Sequence, residues 1–232
     1  MGLNKDDLLP FRCNRSAFLF HEMLQSGIRF QDTRKFYAKN TPIFEKGRTP
    51  NGLYCIINGK VNIHKSNENG KEVTIRLAGP TDVIGYRSLL ADSPYAATAM
   101  TMENTVCGFV PKRLFFELLQ KKPEIGLKVM KLLSEDLAES QHLINSLAVK
   151  NVKQRVAQAL LLYKETYDLS TGNNQALLQI KREELAKLAG TATENAIRAL
   201  SSFQKSGIIK REKTKIRILD LKALLLEADL ED

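Results

Sequence analysis

The chain has only three cysteines, Cys13, Cys55 and Cys107, far apart and never in a C-x-x-C pair. That excludes a disulfide framework and a cysteine zinc site, and leaves Cys55 and Cys107 as expected buried thiols. Long apolar runs are missing too. No stretch approaches the ~18 residues of a membrane span. The first twenty residues scatter Lys5, Asp6, Asp7, Arg12 and Arg15 instead of leading into an apolar core, so a soluble, cytoplasmic protein without a membrane partner is expected. No nucleophile–base–acid set, P-loop or metal-ligand spacing is present, and neither catalysis nor a metal site is expected. Internal repeats and low-complexity tracts are also absent.

What is present is length and positive charge. The 232 residues suffice for two modest domains, or for one domain with a long appended helix. Lysine and arginine number 35 against 26 acidic residues, a net charge of +9. The excess sits late: Lys205, Lys210, Arg211, Lys213, Lys215 and Arg217 are opposed locally only by Glu212. A polyanion, double-stranded DNA, is the expected partner of that region.

Residues 37–111 read as β-structure. Short runs such as Leu53 to Ile57, Val61 to His64 and Val73 to Leu77 alternate with turns at Gly47, Gly52, Gly59, Gly70 and Gly79. Asn69-Gly70 is a hairpin signal, because both central turn positions need positive φ. Beyond Pro123 the texture turns helical. Apolar residues fall at Met130, Leu133, Leu137, Ile144 and Leu147, an a/d-like spacing interrupted by Ser140, which suits a helix-to-helix dimer seam. Packing of these residues on their own β-domain is the competing reading. Val152 to Tyr167 reads as a second helix and Asp168 to Gln175 as an exposed loop. The expected fold class is α+β: N-terminal helices and an all-β sandwich or β-roll (1–122), a long helix suited to dimerisation (123–150) and a winged-helix domain (151–232).

Arg182 to Ala189 is a short helical pattern ended by Gly190, and Thr191 to Ser206 a second one closed by Gly207. A turn this tight needs a small residue, Ala186, where the helices cross, and Gly190 where the backbone reverses. With Ala196, Ala199 and Leu200 facing inward, Thr193, Glu194, Asn195 and Arg198 occupy the face free to enter a major groove. Arginine can donate a bidentate pair to guanine, and glutamate can accept from cytosine. The same residues admit two ordinary explanations, a Thr191–Glu194 capping box and a Glu194–Arg198 surface ion pair. The Ile208-Ile209 and Ile216 to Leu219 runs, flanking a basic turn, form a β-wing suited to phosphate contact.

These blocks together resemble the Crp/Fnr superfamily over about 200 residues, from Phe30 to Ile218. The resemblance is carried by Ile43-Phe44-Glu45-Lys46-Gly47, Leu53-Tyr54-Cys55-Ile56-Ile57-Asn58-Gly59-Lys60-Val61, Gly70-Lys71-Glu72, Val83-Ile84-Gly85, Glu184-Leu185-Ala186 and Phe203-Gln204-Lys205-Ser206-Gly207. It implies a β-roll that senses a signal, a long helix that forms a homodimer, and a winged helix on a palindromic operator. By the same resemblance Glu194 and Arg198 are the reading pair. Thr193 holds the variable position before them and departs from the arginine of the cyclic-AMP receptors. Arg182 and, in the wing, Lys213, Lys215 and Arg217 contact phosphates, and Asp168 to Gln175 matches a surface that touches RNA polymerase in activators.

The effector does not carry over as readily. Cyclic-nucleotide-binding members pair a Gly-Glu dipeptide with a later Arg-Ser or Arg-Thr, since a cyclic phosphate needs a guanidinium and hydroxyl or backbone donors. Here Gly85 precedes Tyr86, and Tyr95-Ala96 or Ala96-Ala97 stands where Arg-Ser belongs. A cyclic nucleotide is therefore disfavoured and the effector is unidentified. Arg87 and Ser88 are candidates for a relocated anion site unless Arg87 forms a structural ion pair or lies in solvent. Ser140 and Gln141 match base-contacting positions, so the candidate pocket is Gly85, Tyr86, Arg87, Ser88, Tyr95, Ser140 and Gln141. The scattered cysteines do not form an iron–sulfur set, and His21, His64 and His142 show no haem-ligand pattern. A ligand-independent DNA binder and a sensor module that does not bind DNA are the competing functions.

Overall fold

The computed structural model describes residues 16–30, 32–66, 72–167, 177–212 and 215–230. These fall into two compact units, divided after Ala138.

The first unit opens with helix α1 (Ala17–Gln25). Strands β1 (Arg34–Tyr37), β2 (Pro42–Phe44), β3 (Gly52–Asn58), β4 (Val61–Ser66), β5 (Glu72–Ala78) and β6 (Val83–Ile84) follow. Next come the short helix α2 (Tyr86–Leu90) and strands β7 (Thr98–Thr101) and β8 (Thr105–Pro111). The strands make two four-stranded sheets, β1-β8-β3-β6 and β2-β7-β4-β5, whose pairings are antiparallel. Alternation along β3 gives the roll two cores. Ile56, with Ile43, Val61, Ala99 and Cys107, fills the space between the sheets. Leu53 and Cys55 point the other way, into a core with Leu19 and Met23 of α1. The Asn69-Gly70 turn lies outside the described residues, but the strands on either side of it, β4 and β5, pair as a hairpin requires.

Helix α3 (Lys112–Lys121) follows β8 directly, and α4 (Pro123–Val149) starts on a proline, whose fixed φ and missing N–H suit a first helical turn. In the N-terminal half of α4, Ile125, Val129 and Leu132 recur every three or four residues and are buried with α1 and α3. The division between the units falls inside this helix.

The second unit holds the end of α4, then α5 (Val152–Tyr167), β9 (Leu177–Gln179), α6 (Arg182–Leu188), α7 (Thr193–Lys205), β10 (Ile209–Glu212), β11 (Lys215–Ile218) and α8 (Leu221–Glu227). Helix α5 is its centre: Val156, Ala157, Leu160, Leu161 and Tyr163 are buried, which covers most of its circumference. A buried hydrogen bond of 2.7 Å between Ser146 and Gln158 fastens it to α4. The three strands form an antiparallel sheet in the order β10-β11-β9. No helix among the described residues is long and apolar enough to cross a membrane.

Candidate nucleic-acid interface and effector pocket

The turn between α6 and α7 is built around Gly190. Its φ of +59° is a left-handed conformation that side chains resist, and a Cβ there would lie 2.7 Å from Leu147 Cδ2. The Thr191 N–H closes the turn on the Ala186 carbonyl at 3.0 Å. Arg155 braces it from α5, donating from Nε to the Ala189 carbonyl (3.0 Å) and from Nη1 to the Lys150 carbonyl (2.7 Å). At the start of α6 the Glu184 carboxylate accepts from the Lys181 N–H, satisfying one of the donors a helix N-terminus leaves open.

Helix α7 buries Ala196, Ala199, Leu200 and Phe203 and leaves Glu194 and Arg198 exposed. The capping-box reading fails, because the N-cap is Ala192 and the Thr191 hydroxyl accepts instead from Asn195 Nδ2 at 3.4 Å. The ion-pair reading fails as well, since Glu194 and Arg198 form no pair among the described residues. Thr193 and Asn195 are half-buried beside them.

In the wing, Lys215 is exposed and Arg217 half-buried. Arg217 Nε lies 3.1 Å from Glu212 Oε1, and this bond holds the Glu212 carboxyl below the usual carboxylate range. Arg211 turns back to α7, donating to Gln204 Oε1 (2.6 Å) and Ser201 Oγ (3.3 Å). Lys213 lies outside the described residues, as does the segment 168–176 with its expected polymerase contact. Arg182 is exposed at the first position of α6.

In the roll, Gly85 has φ +89° and the Tyr95 ring lies beside it, 3.5 Å from where a Cβ would be. Tyr95 stacks on Phe44 with ring centroids 4.0 Å apart and donates its hydroxyl to the Gly52 carbonyl. Tyr86 points into the core and is 1% exposed, so it is a core residue and not the pocket-lining one expected. Its hydroxyl donates to Asp136 Oδ2 on α4 at 2.6 Å and accepts from Arg76 at 3.2 Å. Burial pushes the Tyr86 phenol well above the usual tyrosine range. Arg76 also binds Asp82, which accepts from Ser16, so one buried network joins α1, β5, α2 and α4. Arg87 is 58% exposed, with Nε 3.9 Å from Asp136, and Ser88 is half-buried.

Residues 34–122 match the cyclic nucleotide-binding domain family, and residues 154–226 match the Crp-like helix-turn-helix domain family. The cyclic AMP receptor protein of Thermus thermophilus is 29% identical over 194 residues, 84% of this chain and 86% of that protein. The fumarate and nitrate reduction regulatory protein of Vibrio cholerae is 27% identical over 221 residues, 91% of this chain and 82% of its own. A crystal structure of a CRP/FNR-family transcriptional regulator, also from Thermus thermophilus, superposes with a TM-score of 0.71 at 25% identity, covering 84% of this chain and 98% of that one. The chain is a Crp/Fnr-family transcription regulator.

Within this Crp/Fnr regulator the residues named from sequence fall into three groups. Glu194, Arg198, Thr193 and Asn195 cluster on one end of α7, with Arg182 on the neighbouring helix of the same unit. Gly85 and Tyr95 meet in the roll, while Ser140 and Gln141 belong to the other unit, Ser140 half-buried and Gln141 exposed. Of the expected seam, Met130, Leu137, Ile144 and Leu147 are exposed large apolar residues, but Leu133 packs on the core of its own roll. The helical phase explains Leu133, which follows the buried Leu132. Leu127, three residues before Met130, extends the exposed stripe and was missed, although the same spacing would have found it. Arg155, Arg211 and Arg76 were missed too. Their partners lie in other elements, and only the basic run around Arg211 gave any local sign. Among the described residues no cluster of histidine, cysteine and acidic side chains could hold a metal ion. Cys55 and Cys107 are buried, and burial pushes the Cys107 thiol up to about 12.

Proposed function

We propose that this Crp/Fnr regulator acts in the cytoplasm as a homodimer on an inverted-repeat operator, with Glu194 and Arg198 reading one G·C pair in each half-site. One observation carries the reading: both side chains are exposed, one helical turn apart, and unpaired with each other, so their hydrogen-bonding capacity is available to base edges. Asn195 is partly engaged by Thr191, which leaves Thr193 to set the neighbouring base. Arg182, Lys213, Lys215 and Arg217 take phosphates, with Lys215 the principal wing cation because Arg217 is shared with Glu212. The apolar stripe on α4 supplies the dimer seam, and the two recognition helices of the dimer enter successive major grooves about 34 Å apart, one turn of DNA. Residues 168–175 provide a contact for RNA polymerase. Selection from a random duplex library, followed by gel shift, tests the reading. A palindromic sequence preferred over random DNA at physiological salt is expected, and no preferred duplex would leave a sensor module that does not bind DNA.

The same reading gives the roll a small effector other than a cyclic nucleotide. A cyclic phosphate needs a guanidinium and a hydroxyl beside Gly85, and Tyr95 stacked on Phe44 takes that place. Calorimetry with cyclic AMP is expected to show no binding. A second reading, DNA binding without any ligand, is favoured by the Tyr86–Asp136 bond, which joins the roll to α4 through the protein's own side chains. Full operator affinity in protein shown by mass spectrometry to carry no ligand would select it.

A further inference from the structure

We propose that the mouth of the β-roll is a binding site for a small planar aromatic carboxylate, with Lys35 supplying the cation. A cavity of about 480 Å³ opens there between β1, β2, β3, β8 and the 45–51 loop, within the size range of small-molecule sites. Four rings line it, alongside Ile43, Thr49 and Asn51: Phe44 stacks on Tyr95, Phe44 and Tyr54 are 6.0 Å apart, and Tyr54 and Phe109 are 5.2 Å apart. Such a lining favours a flat ring over a saturated one, because offset and edge-on ring pairs add attraction beyond the area they bury.

The rim is cationic. Lys35 Nζ sits 4.8 Å from the Phe109 ring centroid and makes no ion pair among the described residues. Arg48 pairs with Glu45 at 3.8 Å, where both side chains are largely exposed, an arrangement an incoming anion can exchange. The rim therefore carries two cations and one carboxylate. Burial holds the Tyr54 and Tyr95 phenols above the usual tyrosine range, so the aromatic floor stays neutral at ordinary pH and the site's fixed charge is that of the rim. The wall is also set before any ligand arrives: Gly47 N–H donates to the Tyr95 carbonyl (2.8 Å) and Tyr95 N–H to the Arg48 carbonyl (2.9 Å). A ring lying against Phe109 and Tyr54 with its carboxylate at Lys35 uses both features.

This assignment rests on the reading that the roll takes a small effector, and the test separates the two. Full-length protein is titrated calorimetrically with 2-naphthoate, with the neutral 2-naphthalenemethanol and with the non-planar cyclohexanecarboxylate. Operator affinity is measured in parallel with and without 2-naphthoate. Saturable naphthoate binding is expected, weakened about tenfold or more by loss of the charge in the alcohol, by loss of the ring in the saturated acid, and by Lys35→Gln. Lys35 is exposed on a strand, so the variant should fold, and unchanged circular dichroism checks that. Phe109→Leu is expected to erase the preference for the planar acid. Absence of saturable naphthoate binding up to about 10 mM, or equal binding by Lys35→Gln, overturns the site even if another ligand alters DNA affinity. Binding that depends on Lys35 but leaves operator affinity unchanged supports the site and removes the effector reading.

Discussion

Gly190 shows how much one residue can decide. A Cβ at this position meets both a left-handed backbone and the Leu147 methyl. Gly190→Ala is expected to lower stability by about 1 to 3 kcal/mol in urea unfolding, and Leu147→Ala in the same chain should recover the steric part and leave the backbone part. Tyr86 acts through one hydroxyl. Tyr86→Phe keeps the ring in the core but strips Asp136 of its 2.6 Å donor, at a cost of about 1 to 3 kcal/mol measured the same way. Arg198→Ala is expected to cost about 1 to 3 kcal/mol on the preferred operator and to relax selectivity at one base pair. Equal losses on every duplex would remove its base-reading role.

Some properties belong to an element and not to any one of its residues. Helix α4 is buried on one face and exposes Leu127, Met130, Leu137 and Ile144 on the other, with Leu137 60% and Ile144 68% exposed. Exposed apolar residues in such a row indicate an interaction surface. Ile144→Glu is expected to convert a dimer to a monomer in sedimentation equilibrium while leaving helix content unchanged. Helix α1 is also tied to α4 and to the end of α3: Glu22 accepts from Lys128 of α4 (3.0 Å) and from Lys122, which closes α3 (3.3 Å), and these bonds hold its carboxyl below the usual glutamate range. A carboxylate with a lowered folded-state pKa contributes stability above its unfolded pKa and loses it as pH falls through the folded value. Glu22→Gln should therefore flatten the fall in stability below about pH 5, with little change in its slope near neutrality.

At the scale of the whole molecule the densest basic run lies at the wing, where six lysines and arginines between Lys205 and Arg217 face only Glu212. DNA affinity should fall linearly on a logarithmic salt axis, and Lys215→Ala should reduce that slope by about 1 while weakening all sequences alike. Arg198→Ala, by contrast, should alter selectivity more than slope. The pair of variants tells phosphate contact from base reading in one set of gel shifts.

Local pattern was enough to place the strands of the roll, the long helix and the helix-turn-helix, because two-residue and 3.6-residue periods and glycine turns are written in neighbouring residues. It also placed Glu194 and Arg198 on one outward face, since residues four apart on a helix share a side. It could not say whether those two were already spent on each other or on a helix cap; that depended on Ala192 becoming the N-cap and Thr191 turning to Asn195. Tyr86 and Asp136 are 50 positions apart and Arg155 and Ala189 are 34 apart, distances over which sequence spacing carries no information about contact. Packing likewise divided the α4 stripe, drawing Leu133 into the roll and leaving Leu127 out. Residue types and periods along the chain thus specified the elements and the outward face of α7. Only the tertiary structure decided which polar groups were already satisfied and which remained open to a partner, because that is settled by hydrogen bonds and packing between elements far apart in sequence.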